Sequence, residues 1–558
     1  MKLKRFFSGV FIVFVLLVAC SCAKTNPFIQ LHVKSYHVPV LKNLKGNPVL
    51  QMELQLNDSL ATLHSTSITV NLEGTSEMDD IKLVRVWYSG SDSLFRNVSA
   101  MNLFGGEKAP ATKIEFTGEQ LLSPGENYFW VSVELNEDAN LHNKIGVALS
   151  KLKFSDNTYL KPNTESGSLK QRIGVAVRKH MDDNVQTYRI PGIATTNDGS
   201  LLAVYDVRRQ SSRDLQGDMD IGVSRSTDGG KSWEPMRIGL DMDEWGGLPE
   251  KFNGVSDACI LVDENSGKIF LAGLWMHGVI NDEGVWQEGL TEESTLWNHQ
   301  WRTKGSQPGF GVKQTAQFLI ATSTDDGKTW SDPANITEMC KKEEWWLFAP
   351  APGQGITLED GTLVFPTQGR DKNGETFSNI TLSSDGGENW KTSPLAFFNT
   401  TENMVVQLSG GSIMLNARFN ENRNNKGDDN GRVVVTTSDL GNTWEEHPTS
   451  RSALIESTCM ASIHKHVYNE NGEEKSILLF SNPNTKTGRF NMTIKVSFDD
   501  GKTWPEENWL LLDEGRSYGY SCLTSVDENT IGILYEGSRA HMTFESIPLK
   551  ELANNDLK

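Results

Sequence analysis

The chain has 558 residues, with 53 Lys+Arg against 72 Asp+Glu, a formal net charge of -19, and 37% hydrophobic and 22% charged residues. This length calls for two or more domains, and the composition is that of globular protein rather than of disorder. Such acidity excludes nucleic acid as a partner and sets a condition on any anionic small ligand, which can bind only where local arginines overcome the field of the whole molecule.

At the start, Lys2, Lys4 and Arg5 precede an apolar run from Phe6 to Ala19. The run is short for a membrane span and is followed by small residues, so residues 1–23 read as an export signal. Leu17-Val18-Ala19-Cys20 resembles a lipobox, which would leave Cys20 carrying a lipid anchor, in a periplasmic or outer-membrane lipoprotein. Cleavage after Ala23, giving a secreted protein, is the alternative. The four cysteines beyond this region, Cys259, Cys340, Cys459 and Cys522, are far apart. That spacing is neither a disulfide framework nor a zinc site, and buried free thiols are expected.

Residues 25–160 alternate apolar and polar side chains in short runs, as in Ser67 to Leu72, Ile81 to Tyr88 and Tyr128 to Leu135. Period-two patterning between polar turns predicts a β-sandwich. Residues 161–172, with Pro162, Asn163, Ser166, Gly167 and Ser168, read as a linker.

Residues 173–552 carry an internal repeat of the form S/T-x-D-x-G-x-x-W, from Ser226 to Trp233, Ser323 to Trp330, Ser383 to Trp390, Thr437 to Trp444 and Ser497 to Trp504. The aspartate is placed to accept backbone N–H bonds in a tight hairpin, the glycine supplies positive φ, and the tryptophan can wedge between sheets. These residues are expected to be structural. Asp325, Asp385, Asp439 and Asp499 lie 60, 54 and 60 positions apart, so the region holds about six such units. The predicted fold is all-β, a six-bladed β-propeller preceded by the β-sandwich. The longer gap between Asp228 and Asp325 accommodates an insertion with Trp275, Trp286, Trp297 and Trp301, either its own core or a wall on which a sugar stacks.

Hairpins of this kind occur in propellers of many functions, so activity must be argued from other residues. Tyr188-Arg189-Ile190-Pro191, just before the first repeat, resembles the YRIP signature of the sialidase (neuraminidase) family, and with the five hairpins the resemblance covers the chain from about Gly174 onward. It implies an exo-α-sialidase that hydrolyses terminal sialic acid from glycans, glycoproteins or glycolipids, with no metal or cofactor. It assigns Arg189, Arg418 and Arg489 to an arginine triad, Asp214 as acid/base, Tyr520 as nucleophile and Glu402 as its activating carboxylate. Glu536 would steady Arg189, and Arg208 and Asp257 would contact substrate. Cys522 departs from the aspartate found in many members two places after the tyrosine.

The residue types suit that chemistry. Sialic acid carries its carboxylate on the anomeric carbon, and three guanidiniums supply charge-assisted bonds and the positive field that the chain as a whole lacks. A carboxylate nucleophile would be repelled by that anionic centre, whereas a neutral tyrosine with a nearby base is not. Sialidases are for this reason an exception to the two-carboxylate rule of glycosidases. A trans-sialidase or anhydro-product-forming enzyme would use the same residues. A non-catalytic sialic-acid-binding propeller would dispense with Tyr520, Glu402 or Asp214, and all three are present. Gln368 and Arg370 are weaker candidates for the pocket mouth.

Overall fold

A computed structural model describes residues 29–57, 62–95, 98–162, 169–215, 217–247, 249–277, 306–312 and 315–552. Cys20 and the export signal lie outside the described residues, as do Trp286, Trp297 and Trp301. Among the described residues the protein is all-β, with two α-helices of four residues each, Thr337–Cys340 and Leu549–Leu552.

The alternating runs near the start form two antiparallel sheets. One orders Ile29–Lys34, Asn47–Leu56, Gly125–Leu135, Ile81–Gly90 and Asn102–Lys108. The other orders Tyr159–Leu160, Ala148–Phe154, His64–Asn71 and Lys113–Leu121. Every second side chain points inward, so Met52, Leu54, Val84, Val86, Phe129 and Val131 of the first sheet share a buried cluster with Ile68, Val70, Phe116 and Leu152 of the second. Each such burial contributes about 1.5–3 kcal/mol.

The strand Lys170–Arg178 begins inside the stretch read as linker. It pairs antiparallel with Lys144–Gly146 and parallel with Val40–Lys42, then antiparallel with Met542–Pro548 near the far end of the chain. Arg172 on this strand meets Glu545 at 3.0 Å and Glu551 at 2.6 Å, which fastens the two regions together.

From Lys170 onward the described strands pair as six antiparallel units. The first contains Thr187–Thr195, Leu201–Arg208, Met219–Ser226 and Arg237–Leu240. The second contains Asn253–Val262, Ile269–His277, Gln317–Ser323 and Ala334–Asn335. Leu347–Pro350, Leu363–Arg370, Thr376–Ser383 and Lys391–Thr392 make the third. Thr400–Gln407, Ile413–Phe419, Val433–Thr437 and Glu445–Glu446 make the fourth. The fifth is Ser462–Glu470, Glu473–Pro483, Met492–Ser497 and Trp509–Asp513. The sixth joins Ser521–Asp527, Thr530–Tyr535 and Met542–Pro548 to Lys170–Arg178. First strands of units one and two touch, as do those of four and five, five and six, and six and one; Leu363–Arg370 of unit three touches those of two and four.

The repeat behaves as its residues require. Asp228, Asp325, Asp385, Asp439 and Asp499 each accept the backbone N–H four residues on at 2.9–3.0 Å. The hairpin glycine is also a packing surface: Gly230, with φ of 85°, lies against Phe544 of unit six, and a Cβ there would fall 2.0 Å from the ring. Trp233 stands edge-on to the same ring at 5.3 Å. Trp275 is not part of the insertion but sits in Ile269–His277, fully buried. All four described cysteines are free and buried.

Candidate active site

In an antiparallel unit the start of the first strand and the end of the second share one edge, while the third strand ends at the other. The five repeat hairpins follow third strands. All nine residues singled out from the sequence lie at the first edge. Arg189, Asp257 and Glu402 stand early in first strands, and Tyr520 immediately precedes one. Arg208 and Arg418 stand at the ends of second strands, with Glu536 directly after one and Asp214 and Arg489 in the loops that follow. Three of the first strands are irregular there, with register shifts between Arg189 and Gly192, Ser256 and Cys259, and Thr400 and Asn403. Ile190 and Asp257 adopt φ of 59° and 58°. Such bulges re-aim side chains at a cost in strain, about 1–3 kcal/mol per residue, that the surrounding structure must offset.

Glu536, 1% exposed, organises one side of the site. One oxygen accepts Arg189 Nε at 2.5 Å and Ile190 N at 3.0 Å, and the other accepts Tyr520 N at 2.8 Å. The Arg189 guanidinium lies 4.2 Å from the Tyr518 ring centre and 5.4 Å from that of Tyr520. Arg489 lies 5.3 Å from the Tyr520 ring centre and donates to the carbonyls of Tyr518 at 2.8 Å and Thr458 at 3.2 Å.

Glu402 joins two groups on the other side. Its Oε2 accepts Arg418 Nη1 at 2.7 Å, and its Oε1 accepts the Tyr520 hydroxyl. Arg418 Nη1 also reaches the Tyr520 oxygen at 3.3 Å. Burial opposes charge on Glu402, but Arg418 and the tyrosine hydrogen bond outweigh it, so its pKa lies below the ordinary glutamate value. Burial, reinforced by the negative Glu402, pushes the Tyr520 phenol well above its usual range. The pair is therefore a neutral phenol whose proton is aimed at a carboxylate, the arrangement of a nucleophile and its base.

Arg208, fully buried, bridges two acids. It donates to Asp206 at 2.8 Å and meets Asp214 at 2.6 Å. The Asp214 side chain is 57% exposed. What burial it has raises its pKa, but Arg208 and then Arg189 outweigh this and hold it below the ordinary aspartate value. Asp257 has the opposite balance: burial, together with Asp206, Glu402 and Asp214, pushes its pKa well above the ordinary aspartate value.

Asp206, Gln368 and Tyr518 complete the site beyond the nine residues legible in the sequence. Asp206 accepts Ser256 Oγ at 2.7 Å and Asp257 N at 3.2 Å as well as Arg208, and burial lifts its pKa to about 6. Its signal was its place two residues before Arg208 on the same strand face. Gln368, buried, donates to Asp257 Oδ2 at 3.1 Å, whereas Arg370 is only half-buried. Tyr518, two residues before Tyr520, clamps two arginines, one by its ring and one by its carbonyl. Cys522 directs its thiol at the Ile193 carbonyl, 3.7 Å away, and is fully buried. Among the described residues one set of three carboxylates, Asp241, Asp243 and Glu250, has oxygens within 4.8 Å of one another; they are partly or fully exposed, and such groups are common without an ion.

Residues 190–529 match the BNR repeat-like domain, and residues 29–158 match the N-terminal domain of BNR-repeat neuraminidase. A sialidase of Bacteroides fragilis is 40% identical over 545 residues, 94% of this chain and 95% of that protein. A sialidase of Micromonospora viridifaciens is 30% identical over 361 residues, 62% of this chain and 50% of that one. Among solved structures, Hadza microbial sialidase Hz136 superposes with a TM-score of 0.83 at 38% identity, covering 93% of this chain and 99% of that one. Fold, site and relatives together define a glycoside hydrolase of the exo-α-sialidase class. The chain belongs to the BNR-repeat neuraminidase family, the bacterial sialidases.

Proposed function

We propose that this sialidase removes terminal sialic acid from glycoconjugates with retention of configuration, through a tyrosyl-enzyme intermediate. The observation that carries the reading is the Tyr520 hydroxyl donating to Glu402 with Arg189, Arg418 and Arg489 around it. The three arginines bind the substrate carboxylate, and Glu402 takes the phenol proton as the oxygen attacks the anomeric carbon. Asp214 protonates the departing sugar oxygen and then removes a proton from the attacking water. Arg208 and Arg189 keep Asp214 ionised. A bound carboxylate neutralises part of that positive field, which raises the Asp214 pKa and favours the acid form when a leaving group is present.

The six units are further proposed to be the blades of one propeller. Contact between the first strands of units six and one supports a closed ring, as does the unit-one hairpin glycine packed on unit six. The ring presents the site at one end and the repeat hairpins at the other. For residues 1–23, export with a lipid anchor at Cys20 forms part of the same proposal.

Trapping with a 2,3-difluorosialic acid reagent, followed by peptide mass spectrometry, tests the mechanism. An adduct on Tyr520 is expected, absent in Tyr520→Phe. An adduct on Glu402 or Asp214 would overturn it. Product analysis then separates hydrolysis from transfer to a sugar hydroxyl or closure to an anhydro sugar.

A further inference from the structure

Beside the strand that carries Arg418 lies a buried ion pair that the catalytic reading does not use. Arg432 and Glu456 are both fully buried and meet at 2.9 Å. Burying two charges is expensive, and apolar replacements of similar size are often no less stable, so such a pair calls for a reason other than stability.

The partners of the pair give one. Glu456 Oε1 accepts the backbone N–H of Phe419, the residue after Arg418, at 2.7 Å. Arg432 grips the other flank of Arg418, donating from Nε to Asn416 Oδ1 at 2.7 Å and from Nη2 to the Asn416 carbonyl at 3.2 Å. Its Nη1, besides meeting Glu456, donates to the Cys459 carbonyl at 2.8 Å. Cys459 follows Thr458, a β-branched residue held at φ of 56°, and it is the Thr458 carbonyl that accepts Arg489 Nη2. A β-branched residue adopts that conformation only where its surroundings enforce it. Asn430 adds to the enforcement, accepting Glu456 N and donating to Glu456 O, each at 3.0 Å.

We infer that Arg432 and Glu456 are positioning residues that set two of the three arginines, Arg418 and Arg489, at the spacing that a substrate carboxylate requires. The inference rests on the proposed arginine clamp. Neither residue contacts the pocket; the pair acts through the backbone on both flanks of Arg418 and through the strained turn at Thr458. A planar fork is needed because four acceptors in different directions must be held at once, which an ammonium group cannot do.

The test compares Arg432→Lys, which keeps the charge but loses the fork, with Glu456→Gln, which keeps the Phe419 contact but sets an amide against Arg432. Arg418→Lys serves as control. The readouts are the inhibition constant of an unsaturated sialic acid analogue bearing the carboxylate, kcat and KM on an aryl sialoside, and the melting midpoint. Both variants are expected to weaken the analogue about tenfold or more, with KM rising in parallel. A purely structural pair would lower the midpoint and leave the inhibition constant of the folded protein unchanged. An inhibition constant within about twofold of wild type in both variants, with Arg418→Lys impaired, overturns the inference. If Arg418→Lys is also unimpaired, the clamp itself is wrong. Should neither variant fold, Asn416→Ser removes one arm of the network and is expected to shift the inhibition constant in the same direction; no shift again overturns the inference.

Discussion

Replacing Glu536 by glutamine changes few atoms and disturbs much. The carboxylate is 1% exposed and accepts Arg189 Nε and Ile190 N on one oxygen and Tyr520 N on the other. In Glu536→Gln one oxygen becomes an amide nitrogen that only donates, so either orientation sets donor against donor. The charge beside buried Arg189 is lost as well, and removing one partner of a buried ion pair costs about 3–5 kcal/mol. An unfolding entropy of roughly 2.1 cal/mol/K per residue over about 558 residues is about 1.2 kcal/mol/K, which converts that loss to a midpoint lower by about 3–4 °C. With Arg189 and the Tyr520 backbone released together, KM for an aryl sialoside should rise about tenfold or more. Tryptophan-monitored melting and steady-state kinetics on the same preparation measure both. A variant that melts within about one degree of wild type and keeps its KM refutes the view that Glu536 holds the site together.

At the opposite end of the units, Gly230→Ala places a methyl group 2.0 Å from Phe544 at a φ of 85°, so the midpoint should fall by about 2–4 °C while KM stays unchanged; a changed KM would mean that this hairpin reaches the pocket. Asp214→Ala should slow natural sialosides about 10²–10⁴-fold, and an aryl sialoside with a good leaving group far less; equal losses on both substrates argue against proton donation by Asp214. Burial lifts the pKa of Asp220 to about 8, of Glu545 to about 7 and of Asp206 to about 6. The unfolded chain releases these protons near pH 4 and the folded protein keeps them, so these groups make stability fall as pH rises from about 4 to 8. Asp220→Asn removes one of these groups, so its melting midpoint should gain on wild type as pH rises from about 4 to 8, and a difference constant across that range would contradict the burial assigned to Asp220.

What the sequence disclosed was what is local. Each hairpin is determined by contacts within four residues, so five copies stood out, and the Arg189, Arg418 and Tyr520 strings stood out because each is a short run of consecutive residues. What stayed hidden depends on distant partners. Asp206 meets Ser256 across 50 positions and Gln368 meets Asp257 across 111, separations that no spacing rule covers. Arg432 and Glu456 read as ordinary surface charges until the fold buries both. Trp275 shares its stretch of sequence with the other tryptophans, and indole-rich stretches look alike in one dimension; only pairing with the neighbouring strands places it in a core.

The strand Lys170–Arg178 has a consequence for how this molecule comes into being. It precedes the five other units in the chain, yet its partner Met542–Pro548 comes almost last, and 369 positions separate Val175 from Phe544. The unit that carries Tyr520 and Glu536 therefore cannot finish until synthesis is nearly complete, and until then the early strand offers a bare edge. Closing so long a loop is slow, and an unpaired edge invites pairing with other chains. A chain threaded across a membrane before it folds would emerge with this strand already exposed and its partner still on the far side. The same late pairing means that a copy truncated before Tyr520 cannot complete the unit that joins Lys170–Arg178.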